Sequence, residues 1–392
     1  MREVLIVGAA RTPIGKFQGG LSTVPAPRLG AAAIADALRR GRVAPEQVDE
    51  VYMGIILTAG VGQAPARQAA LAAGLPHTAP ATTINKMCGS GLKAAMLGAQ
   101  AIQAGDAEIV VAGGMENMSA SPYLLERARI GYRLGHGTLV DSMIKDGLWD
   151  VYNDIHMGSC AELLAREYRI SREDQDEFAR RSYTRALAAM DSGHFALEIT
   201  PVEVPDGQAP PRRVAEDEEP RRFVPGKLAS LPPVFERGGT VTVANASSIS
   251  DGAAAVVLAS AEAAARLEAP PLARVVGQAV SATAPEWFTI APAAAIEKLL
   301  RKVGWSRDSV DLYEINEAYA SVVLAVTRKL GLDLERVNVH GGAVALGHPI
   351  GASGARILVT LLYAMQERGA RRGIAAVCLG GGEAVSLAVE RA

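Results

Sequence analysis

Residues 84–93 read Ile84-Asn85-Lys86-Met87-Cys88-Gly89-Ser90-Gly91-Leu92-Lys93. An extended run, residues 81–86 (ATTINK), leads into a lone cysteine, and an Ala-rich segment closed by a glycine, Gly91 to Gly105, leads away from it. Pattern and length predict a strand, a tight turn carrying Cys88, and a helix. A thiol on that turn faces free N–H groups at a helix N-terminus, whose partial positive charge favours the thiolate. Taken alone, the stretch more readily suits a buried structural cysteine, because free Cys packs as a small hydrophobe.

The unit around Cys88 has a counterpart far along the chain. Helix 29–40, turn 43–49 and strand 50–57 are matched by helix 292–303, turn 305–311 and strand 312–315. The strand, Gly-rich helix and strand EIVVAGG (108–114) are matched by Val337-Asn338-Val339, a glycine-rich turn, helix 352–368 and strand 374–380. An internal repeat of two β/α halves is the simplest reading. It predicts an α/β layer structure with mainly parallel strands and sites at their carboxyl ends, where Cys88, Asn316, His340, His348 and Cys378 all fall. Residues of about 119–246 read as an inserted loop subdomain with helices 158–168 and 172–190, the latter capped by Ser171 with Asp174 three residues on. The expected domains are 1–268, containing that insert, and 269–392, with the junction at Pro270-Pro271.

At 392 residues and 49% hydrophobic content, the chain can bury a substantial core in two or three domains. A formal net charge of −2 with dispersed Lys and Arg argues against nucleic-acid binding. No apolar run approaches a membrane span, and MREVLIVGAAR passes directly into a strand pattern, so a soluble cytoplasmic protein is expected. Cys88, Cys160 and Cys378 are an odd number without CxxC spacing, which argues against a disulfide framework or zinc site and points to thiol chemistry.

Residues 341–356 (GGAVALGHPIGASGAR) place His348 among five glycines before a helix, without the spacing of a nucleotide-phosphate loop. His348 stands where Cys88 stands in the other half, which makes it a candidate to activate a thiol. Cys378 runs into Leu379-Gly380-Gly381-Gly382, whose N–H groups suit a developing oxyanion. Asn316 sits at a strand-to-helix junction and reads locally as a helix N-cap.

Together, NKMCGSG (85–91), GGMENMS (113–119), IHMGSCAE (155–162), NASSISDGAA (245–254), NEAYA (316–320), GGAVALGHPIGASGAR (341–356) and CLGGG (378–382) resemble the thiolase family over essentially the whole chain. His156-Met157 is similar to the pair found in its short-chain, acetoacetyl-CoA-handling members. The resemblance implies a fold of two similar halves packed as layers, α-β-α-β-α. It also implies an acyltransferase joining two acetyl-CoA into acetoacetyl-CoA and CoA, reversibly and by ping-pong kinetics. Cys88 would carry the acyl group, His348 would take its proton, and Cys378 would be the second acid and base. Asn316 would position a water, and the N–H groups of Cys88 and Gly380 would hold the acyl oxygen.

Coenzyme A, as substrate rather than bound cofactor, is implied along Leu148, His156, Met157, Phe235, Ser247, Ala318 and Tyr319, with Arg222 and Lys227 near its phosphates. Some family members bind potassium, and the matching positions are Tyr183, Ala244, Ala246 and Val344. A homo-oligomer, dimer or tetramer, is expected, and no nucleic acid or membrane partner. Glu383-Ala384 departs from the family's usual further glycine two positions after the triplet, Tyr319 replaces a frequent phenylalanine, and Trp287-Phe288 bears on the acyl pocket. Two other activities compete: a 3-ketoacyl-CoA thiolase of β-oxidation taking longer chains, and a catalytically silent acyl-CoA or lipid binder.

Overall fold

The structure, a computed structural model, describes residues 2–207 and 209–391. The first half contains β1 (Val4–Arg11), α1 (Ala26–Arg40), β2 (Glu50–Gly54), α2 (Pro65–Ala72), β3 (Ala81–Ile84), α3 (Ser90–Ala104) and β4 (Ile109–Asn117). An insert carrying α4 (Met157–Glu167) and α5 (Arg172–Asp191) precedes β5 (Ser250–Ser260). The second half runs β6 (Ala273–Ala282), α6 (Ala291–Val303), β7 (Leu312–Ile315), α7 (Ala320–Leu330), α8 (Ser353–Arg368), β8 (Arg372–Leu379) and β9 (Glu383–Glu390). Every position of β4 and β5 is buried, as unbroken apolar strands are when helices cover both faces.

Hydrogen bonding realises the repeat. In the first half β1 pairs with β5 and β5 with β4, both antiparallel, while β4 with β2 and β2 with β3 are parallel. In the second half β6–β9 and β9–β8 are antiparallel and β8–β7 parallel. The halves join edge to edge through Leu5↔Arg274 and Ile6↔Ala273, so the main sheet is continuous in the order β7-β8-β9-β6-β1-β5-β4-β2-β3.

The expected predominance of parallel strands is therefore corrected: antiparallel pairing dominates. Only Gly380-Gly381-Gly382 joins β8 to β9, and so short a connection returns the chain antiparallel. β4 and β5 are related in the same way, with Asn117 opposite Asp251. The long insert is thus an enlarged hairpin loop, standing where the second half has three glycines. The expected strand Val337-Asn338-Val339 shrinks to one bridge, Tyr313↔Val337. Asn338 adopts φ 48°, and its side chain replaces a strand partner by accepting from Ile315 N–H and donating to Ile315 C=O, both at 2.8 Å.

Helices α3 and α8 lie between the two half-sheets, α1 and α2 cover the outside of the first, and α6 and α7 the outside of the second, giving α-β-α-β-α layers. Leu92 and Met96 of α3 and Ile357 and Leu361 of α8 share one core with Val110, Val256 and Val377 from both half-sheets. The two central helices meet at glycine. A Cβ on Gly91 would stand 2.7 Å from the Ala355 nitrogen, and one on Gly354 2.5 Å from the Leu92 nitrogen. Only Gly permits that approach, and it brings together the turns that precede the two helices, those of Cys88 and His348.

Candidate active site

The turn before α3 is held by its own side chains. Met87, in the left-handed region at φ 47°, donates its N–H to Asn85 Oδ1 at 3.1 Å, while Ser90 Oγ accepts from Lys86 N–H at 2.8 Å and donates to Met87 C=O at 2.6 Å. A non-glycine residue there costs on the order of 1 kcal/mol and persists only when its surroundings fix it. The adjacent Cys88 is buried, with 6% exposure.

Burial overrides the helix terminus. The Cys88 thiol is pushed up to about 12 by desolvation and by the Glu116 charge, although the N–H groups of Cys88 and Gly380 both favour its thiolate. Burial thus opposes the lowering expected of a helix terminus, and this thiol needs a base. His348 lines the same cavity. Its Nδ1 lies 2.5 Å from Ser353 Oγ, and Ser353 gives its only proton to Pro349 C=O at 2.9 Å. This arrangement favours the tautomer protonated at Nδ1, which leaves Nε2 as an acceptor. That Nε2 is buried without a protein partner. Desolvation, with Arg356 adding to it, lowers the histidine to about 3, so it is neutral at working pH.

Cys378, at the end of β8, is 1% exposed, and its thiol is raised by burial and by the nearby Cys88 charge. It does not line the cavity, and neither do Gly380 and Asn316. Asn316 is not a helix cap, because Tyr319 takes that place for α7. Instead its Oδ1 and Nδ2 are both buried without partners, an arrangement expected where a water belongs.

A cavity of about 320 Å³ opens onto Cys88 and His348. Leu148, His156, Met157, Phe235, Ser247, Ala318 and Tyr319 all line it. The His156 ring stacks on Phe235 at 4.8 Å, and its Nδ1 accepts from Gly158 N–H at 2.9 Å. Arg222 and Lys227 line a second cavity of about 420 Å³, and Val243 and Ser248 form walls of both. The four potassium positions divide: Tyr183 and Ala244 line the second cavity, Ala246 the first, and Val344 packs in one cluster with Tyr183. Among the described residues no three His, Cys, Asp or Glu side chains are grouped to hold a metal.

Sequence reasoning gave no role to Ser353 or Glu116. Glu116 is fully buried and accepts N–H bonds from Ile56 (3.0 Å), Leu57 (3.2 Å) and Gly351 (2.9 Å), tying the loop after β2 to the turn of His348. Nor did it give a role to Met118, Val234, Val243, Ser248, Ile249 or Ile350 in the cavity wall. Four of them, Met118, Ser248, Ile249 and Ile350, lie inside the motifs GGMENMS, NASSISDGAA and GGAVALGHPIGASGAR, and that was the available signal.

Fold and site define a duplicated α/β protein with a buried cysteine–histidine centre at the ends of its two central helices. The profile described as "Thiolase, N-terminal domain" matches residues 4–262, and "Thiolase, C-terminal domain" matches residues 269–391. The chain belongs to the thiolase family. It is 54% identical over 392 residues to the acetyl-CoA acetyltransferase of Pseudomonas aeruginosa, covering 100% of both chains. It is also 54% identical to acetyl-CoA acetyltransferase 2 of Arabidopsis thaliana, over 99% of this chain and 97% of that one. The crystal structure of the Bacillus anthracis acetyl-CoA acetyltransferase superposes with TM-score 0.98 at 45% identity, covering 100% of this chain and 99% of that one. Among the described residues no helix is long and apolar enough to cross a membrane.

Proposed function

We propose that the protein is an acetyl-CoA acetyltransferase, which condenses two acetyl-CoA into acetoacetyl-CoA and CoA and runs the reverse thiolysis. The observation that carries this reading is the unpartnered Nε2 of buried His348 on one cavity with Cys88, whose sulfur faces the N–H groups of Cys88 and Gly380. Cys88 attacks the thioester carbonyl while His348 Nε2 takes its proton, and the two N–H groups receive the developing oxyanion. CoA departs with a proton from Cys378, leaving acetyl-Cys88 and a Cys378 thiolate. That thiolate is disfavoured while Cys88 is charged, and acetyl-Cys88 carries no charge. The Cys378 thiolate then removes a proton from the methyl of the second acetyl-CoA. The carbanion attacks acetyl-Cys88, and the Cys88 sulfur leaves and regains the proton held by His348. A water on Asn316 together with His348 would hold the enolate oxygen.

The pantetheine arm would lie along the first cavity and the nucleotide phosphates beside Arg222 and Lys227 in the second. Potassium would suit the oxygen donors around Tyr183, Ala244, Ala246 and Val344, and replacing it by sodium in the assay tests that. A homo-oligomer is part of the same reading, supported by exposed Ile130, Leu134 and Leu139 in the insert; the sedimenting mass tests it. For the reaction, the test is incubation with acetyl-CoA and peptide mass analysis. An acetyl group on Cys88 is expected, and folded protein with unmodified Cys88 would overturn the proposal in favour of a silent binder.

A further inference from the structure

In the turn that supplies the Gly380 N–H, Gly380 packs against Met157 and Gly382 C=O accepts from Thr283 N–H at 2.7 Å, which leaves Gly381 as its open residue. Gly381 and Gly382 both take left-handed conformations, at φ 88° and 83°, and a Cβ on Gly381 would meet nothing within 4 Å. The Gly380 N–H, which favours the Cys88 thiolate, comes from a different half of the molecule. Packing fixes the base of this arrangement: a Cβ on Gly89 would stand 2.5 Å from a Leu379 methyl and 3.0 Å from a Val385 methyl. Among the described residues one charged contact spans the open side. Lys86 Nζ pairs with Glu383 Oε2, and both side chains are about one-third exposed, at 31% and 28%.

The placement of that pair is specific. Lys86 lies two residues before Cys88, and its N–H is bonded to Ser90 Oγ, so its backbone belongs to the fixed turn of the nucleophile. Glu383 opens β9 and pairs across the ladder with Leu379, which brackets the three glycines between two held residues. The residue after it, Ala384, stands where the family it resembles commonly has a further glycine.

We propose that Lys86 and Glu383 are positioning residues, an ionic clamp that fastens the triple-glycine turn to the Cys88 turn and so aims the Gly380 N–H at the reacting oxygen. This rests on the acyl-transfer reading above. Losing an oxyanion donor outright costs about 10²–10³ in kcat. A partly exposed ion pair is weak, so its loss misdirects the donor without removing it, and a slowing of about 3- to 10-fold is expected.

The test uses Lys86→Met, Glu383→Gln and the charge-reversed pair Lys86→Glu/Glu383→Lys in the full chain. Cys88 is read in two ways: acetylation by acetyl-CoA, and alkylation by iodoacetamide followed at the Cys88 peptide. Each single variant should slow both reactions about 3- to 10-fold, with KM for acetyl-CoA within about twofold of wild type, and the reversed pair should recover at least half of the loss. Thermal unfolding verifies that each variant is folded. Single variants as fast as wild type, or a reversed pair as slow as the singles, would overturn the clamp. If wild-type Cys88 takes no acetyl group while the alkylation pattern holds, the clamp stands and the proposed reaction falls.

Discussion

Replacing Ser353 by alanine should cripple the base without touching substrate binding. In the native protein Ser353 Oγ gives its proton to Pro349 C=O and accepts the Nδ1 proton of His348, which leaves Nε2 bare. In Ser353→Ala the buried Nδ1–H has no acceptor, at a cost of about 1–3 kcal/mol. The tautomer protonated at Nε2, which cannot take the Cys88 proton, then gains population. Converted at about 1.4 kcal/mol per tenfold, the competent tautomer and the acylation rate fall about 5- to 150-fold. Ser353 does not line the cavity, so KM for acetyl-CoA should stay within about twofold. Rapid-quench measurement of acetyl-Cys88 formation reads the rate directly. Ser353→Thr, which keeps the hydroxyl, should act close to wild type. Acylation by folded Ser353→Ala within twofold of wild type, or Ser353→Thr as slow as Ser353→Ala, would refute the tautomer argument. A pH profile adds to the test. Since His348 is lowered to about 3, the wild-type acylation rate should show no fall centred near 6.5 as pH drops, where an ordinary histidine base would charge.

Cys378→Ala should still become acetylated on Cys88 but neither condense nor cleave, and wild-type turnover in that variant would remove Cys378 from the mechanism. Glu116 is raised by burial to about 7 from an ordinary 4.5. A carboxyl raised on folding gives stability that is present below the unfolded value and is lost as pH rises through the folded one. The Tm of Glu116→Gln should therefore gain on wild type between pH 5 and pH 8, and a pH-independent gap would refute the assignment. Phe288 is 3% exposed and lines the acyl cavity. Phe288→Ala should raise kcat/KM for longer 3-ketoacyl-CoAs relative to acetoacetyl-CoA by about 10-fold or more, as expected for space worth a few methylenes. A wild-type preference for long chains would contradict the acetoacetyl reading.

Much of the fold was legible because its causes are local. Apolar runs marked β1, β4 and β8, and alternation with helices marked the repeat. Ser171 and Asp174 form the capping box that their spacing announced. What misled was strand direction, since sequence shows that two runs are strands but not which end of each meets its neighbour. Asn338 shows a second limit: its side chain imitates a strand's hydrogen bonds, which no propensity records. At the site, the thiol, the histidine and the second cysteine stood out as rare residue types on glycine-rich turns. Ser353 and Glu116 did not, because a serine at a helix start and a glutamate in a strand are ordinary until their partners are known.

By itself, then, the sequence determined the duplicated α/β halves and the identity of the reactive groups, since periodicity, glycine placement and motif chemistry reside in neighbouring residues. Only the tertiary structure decided their state. The Gly91–Gly354 crossing brings Cys88 and His348 to one cavity, and the Ser353 hydroxyl chooses which imidazole nitrogen is bare. Burial, not the helix terminus, sets the thiol at about 12. Desolvation and charge pairing act through space among residues hundreds of positions apart, and a chain read in order does not contain those distances.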